Sequence, residues 1–458
     1  MAQTSRSADL TSGPMLQKII LFSIPLAASS ILQLLFNAAD VVVVGRFAGS
    51  TALAAVGSNG SLINLLVNLF VGLSLGANVV AARCFGAKDD RGVQDTVQTS
   101  VTLGLVSGVL LAVVGFFAAR GLLELMSCPE DVIDLSALYL KIYFIGMPMT
   151  MLYNFSSALL RAVGDTKRPL YCLAAAGIIN VVLNLVFVIG FSMSVAGVAL
   201  ATIISQTVSA CMVTRMLMKE EGALHLDLHH LGFHMGALKQ ILLIGLPAGL
   251  QSTVFSLSNV VIQSAINSFG SVVMAGSSAA SGIENFIHTA LNTFYQSAIT
   301  FTGQSIGASD PRRAVRVFRI NLALTTGLGI VLCTLAQIFQ APLLGLYVQS
   351  TDPAYDAVIA AGVVRVLALS RFQWVGGLME TACGTLRGLG HSMNPTVTTL
   401  IGACLLRVVW RYTVFEAVGT VESMYWSYPV SWLLTFLIHL IYLERDRRRL
   451  MVENTAAR

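Results

Sequence analysis

The stretch LRAVGDTKRP at residues 160–169 returns as LRGLGHSMNP at residues 386–395, 226 positions later. Two more pairs keep the same order. FSIPLAASS (22–30) matches IGLPAGLQS (244–252), and CFGAKDDRGV (84–93) matches SIGASDPRRAV (305–315). Three matches at nearly constant offset describe a duplicated chain. The copies are separated by apolar stretches of the length that crosses a bilayer, about 20 residues each. Twelve are predicted, near 18–44, 57–82, 97–119, 136–158, 169–191, 195–217, 238–266, 276–302, 319–340, 357–383, 395–417 and 423–443. Six spans, an even number, lie between equivalent points, so both halves enter the membrane in the same sense. That is a parallel repeat, a plan that places the substrate path between the halves.

Composition agrees. Of 458 residues, 55% are hydrophobic and 11% charged, against about 25% charged in soluble proteins, and the mean hydropathy is +0.76. So apolar a chain needs the bilayer as solvent. The expectation is an all-α integral membrane protein of twelve transmembrane helices, in two parallel-repeat six-helix lobes around a central cavity. Residues 1–217 form the N-terminal lobe, 218–237 a linker, and 238–458 the C-terminal lobe with a basic tail.

The net charge of +5 belongs to topology, not to nucleic acid. Lys and Arg gather in alternate loops, among them Arg83, Lys88 and Arg91, then Arg161, Lys167 and Arg168, then Arg312, Arg313, Arg316 and Arg319. Lys18 and the tail Arg445, Arg447, Arg448 and Arg449 fall on that side, while the opposite loops hold little beyond Arg46 and Arg120. This bias predicts cytoplasmic termini. The polar start and the long first apolar stretch predict a retained first span rather than a cleaved signal.

Seven cysteines, at 84, 128, 172, 211, 333, 383 and 404, show no metal spacing and read as packing residues. The linker HLDLHHLGFH (225–234) crowds His225, His229, His230 and His234. Helical spacing would pair His225 with His229, and His230 with His234, on shared faces. Without cysteines or dense carboxylates it reads as an amphipathic surface linker rather than a metal site. An ATP-binding GxxxxGK[ST] motif is absent from the sequence, as are paired carboxylates beside the histidines. A membrane enzyme and a non-transporting receptor are both disfavoured.

Ionisable groups inside the hydrocarbon are costly and point to function. Asp40 stands near the outer end of span 1, about 33 Å along the helix from Lys18. Asn37 is one turn before it. Asn64 and Asn68 of span 2, Tyr143 of span 4, Asn180 and Asn184 of span 5 and Thr202 of span 6 are predicted at compatible depths. Asn180 and Asn184 are i,i+4 and share a face. Such a set suits a carboxylate that exchanges a proton or joins other oxygens around Na⁺.

The second half carries Glu284 and His288 in span 8, Arg371 and Glu380 in span 10, and Arg407 and Arg411 in span 11. Glu284, Arg371 and Arg407 are expected near mid-depth, where opposite charges should pair. Either a structural ion-pair network or a substrate or proton site is open. A Glu380–Arg387 salt bridge is expected at the cytoplasmic end. Pro25 and Pro247 lie inside the first helix of each half, where a missing hydrogen bond permits a kink and thereby gating. Phe36, Tyr153, Phe155, Phe294, Tyr295 and Trp374 are candidates to stack on a planar cation, and GSSAASG (276–282) reads as a helix-packing run.

LTSGPMLQKIILFSIPL (10–26), NAADVVVVGRFAG (37–49), FGAKDD (85–90), LRAVGDTKRP (160–169), VAGVALATIISQ (195–206) and LRGLGHS (386–392) together resemble the multidrug and toxic compound extrusion family over nearly the whole chain. The resemblance implies a V-shaped cavity between two lobes and export of amphipathic, cationic small molecules against inward H⁺ or Na⁺, with no other cofactor. It also implies a monomer in the bacterial plasma membrane. Asp40 of NAAD matches the family's coupling carboxylate, and NVVLN (180–184) and ALAT (199–202) match its partners. Asn184 departs from the pattern, since that position often carries Asp. Lipid-linked saccharide flippases share the superfamily and form the alternative, but they favour a strongly cationic cavity.

Overall fold

The computed structural model describes residues 10–126, 128–348 and 353–456, which are helical almost throughout. The first half runs α1 (Met15–Phe47), α2 (Ser50–Gly86), α3 (Asp90–Leu125), α4 (Glu130–Ile145), α5 (Met147–Ala162), α6 (Lys167–Leu185) and α7 (Ser194–Met218). The second runs α8 (Met235–Asn267), α9 (Ser271–Gly307), α10 (Pro311–Ile338), α11 (Gln340–Gly345), α12 (Tyr355–Leu369) and α13 (Gln373–Gly388). It closes with α14 (Met393–Thr399), α15 (Leu406–Tyr412), α16 (Val414–Val418) and α17 (Val421–Ala456).

Among the described residues, ten helices or unbroken helix runs are long and apolar enough to cross a membrane. The pair α4 and α5, bent by 49° at Gly146, makes an eleventh. The twelfth is α9. Its 37 residues reach about 55 Å, but composition alone passes it over. Its polar side chains, among them Ser277, Ser297, Thr300 and Gln304, are buried where it packs on α10, α12 and α13. A helix surrounded by protein need not be hydrophobic all round.

The duplication is written into the backbone. Helices α1 and α8 both have 33 residues, and α2 and α9 both have 37. Gly49 and Gly270 open α2 and α9 at φ 91° and 95°, and Lys88 and Ser309 end them at φ 56°. Asp89 and Asp310 then cap α3 and α10, each accepting a 2.9 Å bond from a backbone N–H three residues on. These caps satisfy helix-start donors that have no partner within the helix.

The chain divides into two compact units, Met1–Leu10 with Ile24–Thr253, and Thr11–Ser23 with Val254–Arg458. The start of α1 therefore belongs to the second unit and the first part of α8 to the first. In the first unit, α2 and α8 meet through two GxxxG stretches, Gly72 with Gly76 and Gly245 with Gly249. A Cβ at Gly72 would overlap the backbone of Gly249, and one at Gly76 the carbonyl of Ile241. In the second unit Gly276, within the GSSAASG run, lies against the backbone of Gly362.

The linker is not an amphipathic helix. Apart from a short 3₁₀ turn at Leu228–His230 it is irregular, so the expected sharing of helix faces by its histidines does not occur. Leu224 and Leu226 are buried in the first unit's core with Val93, Val97, Leu160, Val163 and Leu217. Arg168 forks onto Glu220 at 2.7 and 3.3 Å. The His234 backbone N–H donates to Thr99 Oγ1 at 3.0 Å, and its ring lies 3.3 Å from Asp95. Asp227 accepts from the His229 N–H and meets the His230 ring at 2.6 Å. Those contacts hold its carboxyl below the ordinary 3.8, so the turn keeps them at neutral pH and loses them only as acid protonates the carboxylate. Among the described residues no group of His, Cys, Asp and Glu is arranged to hold a metal.

Close glycine contact predicts a sharp asymmetry between sites. Gly72→Ala should lower the thermal midpoint of the purified protein by several degrees, because backbone must move. Gly121→Ala, where a Cβ meets nothing within 4 Å, should be neutral or raise it, since Ala is favoured over Gly in a helix by about 1 kcal/mol. Equal midpoints for the two variants would contradict the packing.

Candidate functional site

In the first unit the polar groups converge where α6 ends. Asn184 lies one residue before α6 gives way to a π-helical turn at Val186–Gly190. Its Nδ2 donates to Asp40 Oδ1 at 2.5 Å and to Asn180 Oδ1 at 3.2 Å. The Thr202 hydroxyl lies beside Asp40 and gives its proton to the Val198 carbonyl at 2.9 Å. Asn184 is fully buried and Asn180 nearly so. The Asn184 Oδ1 is buried with no hydrogen-bond partner. An orphan acceptor beside a carboxylate, an amide oxygen and a hydroxyl is a set of oxygens suited to a hard cation or a proton.

Tyr143 stacks on Tyr139 with ring centroids 6.0 Å apart, and both phenols lie within electrostatic range of Asp40. Tyr139 is an addition; it stands one turn before Tyr143, a spacing visible in the sequence. Asn37 is exposed and Asn68 half-buried, and neither bonds to Asp40. They share the predicted depth but face elsewhere.

The second unit pairs its charges differently from expectation. Glu284 is gripped by Arg365, with Nε to Oε1 at 3.0 Å and Nη2 to Oε2 at 2.8 Å. Arg365 Nη1 donates to Ser277 Oγ at 2.6 Å. Arg371, on a 3₁₀ turn at Ser370–Phe372, is exposed and takes no part. Sequence reading missed Arg365 because it sits within an apolar run; its signal was a lone arginine at membrane depth. Glu380 is held by His288 Nε2 at 2.8 Å and Asn292 Nδ2 at 3.3 Å, not by Arg387. Arg387 instead donates to the Tyr295 hydroxyl.

Among the described residues, no carboxylate pairs with Arg407. It is fully buried, and Nε donates to Ser431 Oγ at 2.8 Å. Nη1 and Nη2 have no hydrogen-bond partner. The guanidinium lies 4.2 Å from the Tyr428 ring centroid, with Phe255 and Trp432 at 5.1 and 5.7 Å. Cation–π attraction in a dry setting replaces the expected ion pair. Arg411 pairs with Glu416 at 2.8 Å.

Pro25 lies within α1 and Pro247 within α8, and both helices continue through them. Ser29 Oγ donates to the Pro25 carbonyl at 2.9 Å, a back-bond that favours helix bending. Phe155 and Phe294 are buried core residues, and the Phe36 ring lies over Gly177.

The Glu284–Arg365 pair predicts strong coupling. Arg365→Met or Glu284→Gln alone should destabilise the protein by about 3–5 kcal/mol, since each leaves a buried group unpaired, while the double variant should recover most of it. Additive losses in thermal unfolding would refute the pairing.

Comparison with known proteins accords with this arrangement. A 28% identical relative from Bacillus subtilis, called "Probable multidrug resistance protein YoeA", matches over 91% of each chain. The "Probable multidrug resistance protein NorM" of Thermotoga maritima is 24% identical over 86% of this chain and 84% of its own. The structure described as "Crystal structure of MATE in the bent conformation" superposes with a TM-score of 0.91 over all of both chains at 19% identity. That likeness shows the fold. The MatE family model matches residues 25–186 and 247–413, one segment for each repeat. The chain is a multi-pass membrane protein of the MatE family, the multidrug and toxic compound extrusion transporters.

Proposed function

We propose that the protein is a secondary active exporter of amphipathic, cationic small molecules, driven by inward H⁺ or Na⁺ through Asp40. The observation that carries this reading is the Asp40–Asn184–Asn180 chain with its orphan Asn184 oxygen. A carboxylate held this way exchanges a proton or gathers Na⁺ at little structural cost, because its partners are neutral amides and a hydroxyl rather than a fixed cation. The relatives, named as probable multidrug resistance proteins, support export of drug-like compounds. The bias of basic loops supports cytoplasmic termini, and the bacterial relatives support the plasma membrane. Residues 1–217 and 238–458 act as lobes joined by 218–237, in a monomer. Loading of Asp40 alters the bend of α1 around Pro25, with Pro247 the matching point in α8.

In proteoliposomes, an imposed H⁺ or Na⁺ gradient should drive a fluorescent organic cation, and Asp40→Asn should abolish that drive. Asn184→Ala should weaken coupling by roughly 10–100-fold if Na⁺ is held, as loss of a supporting group does at metal sites, and much less if a proton alone is exchanged. Transport that persists in Asp40→Asn would place coupling elsewhere.

Pro25→Ala supplies the missing backbone N–H of α1. It should reduce gradient-driven transport while leaving the protein folded. Undiminished transport would rule out bending at this position.

A further inference from the structure

The repeat makes an internal comparison possible. In the first unit, Val97 of α3 and Val163, just past α5, lie at the basic-loop end and are covered by Leu224 and Leu226 of the linker. By the sequence offsets their counterparts are Phe318 of α10 and Leu389, just past α13. In the second unit, among the described residues, no linker-like segment lines this place. Phe318 and Leu389 line a cavity of about 260 Å³, closed on its other side by Leu440 and Leu443 of α17. An apolar cavity of roughly 150 Å³ accepts a benzene ring, so this one accepts a segment of an acyl chain.

The rim is basic. Arg319 and Arg447 line the cavity along with Glu444. Glu444 is already engaged by Arg447 at 2.7 Å and Arg448 at 2.9 Å. Asp446 is taken by His391 at 2.8 Å, and Asp310 by the start of α10. Arg319 is exposed and, like Arg312, Arg316, Arg445 and Arg449, has no ion pair among the described residues. The surplus is positive and sits where an apolar span ends. We propose that this cavity is a specific site for an anionic phospholipid, its phosphate on Arg319 and one acyl chain against Phe318, Leu389 and Leu443. The apolar lining selects a lipid over free phosphate, and the arginines select an anionic over a zwitterionic headgroup. In the first unit the chain fills the same place with its own leucines.

The test uses the full-length, delipidated protein in detergent, titrated with phosphatidylglycerol, with phosphatidylcholine of the same chains, or with inorganic phosphate, and read by native mass spectrometry. Phosphatidylglycerol should bind tighter than phosphatidylcholine by about fivefold per arginine engaged. Arg319→Gln should remove about fivefold of that preference, with its melting temperature unchanged. Val315→Trp, which fills the cavity without touching charge, should weaken both lipids. Equal binding of the two lipids, a preference that survives both substitutions, or inorganic phosphate displacing phosphatidylglycerol at similar concentration would each overturn the proposal.

Discussion

Hydrocarbon offers helices neither a hydrogen-bond partner nor a hydrophobic reason to associate. Association therefore rests on how closely two backbones approach, and here that is set by absent side chains. Gly72 and Gly76 meet Gly245 and Gly249 so tightly that a single methyl would displace main chain. Gly276 does the same against Gly362 in the second unit. Helices locked at such points hold their polar residues at fixed depth and fixed azimuth. The Asp40 cluster depends on that frame, since its three helices contribute only one or two groups each. Phe36 seated on Gly177 ties α1 to α6 a turn from Asp40 by the same device.

The two units treat charge in opposite ways. The first keeps one carboxylate among neutral partners and leaves an acceptor oxygen unspent. The second saturates Glu284 with a bidentate arginine that also donates to Ser277, and holds Glu380 with a histidine and an asparagine. Breaking the saturated, buried Glu284–Arg365 pair is expensive. Arg407 stands apart, a cation whose counter-charge is the face of three aromatic rings.

Much of this was legible in the residues. Most span limits fall within several residues of the helices, because length and hydropathy are one-dimensional signals, but α10 starts eight residues earlier, at Pro311, and α17 runs thirteen further, to Ala456. Asp40, Asn180, Asn184 and Thr202 were found by depth and by the i,i+4 face. Asn37 and Asn68 satisfied depth as well, but depth says nothing of azimuth, and they point away. Arg365 was lost because pairing across helices depends on which faces meet, which no single helix encodes. The linker misled because histidine spacing mimicked a helix, while Leu224 and Leu226 carried the real instruction, to enter the core. The bend at Gly146 is marked only by Gly146 and by Pro148 in the first turn of α5 within an otherwise apolar stretch, and α9 hid its burial behind a polar composition.

The exchange of first-helix segments between the units carries a consequence for how the molecule is made. The first unit lacks its Gly245–Gly249 contact until the ribosome has passed residue 253, well beyond the end of the first repeat. The second unit takes its earliest piece, Thr11–Ser23, from ahead of the first repeat and waits for the rest. Domains generally fold in order of synthesis, but neither repeat here closes on its own. A gene split between the copies would encode two fragments, each missing a strip of its own core.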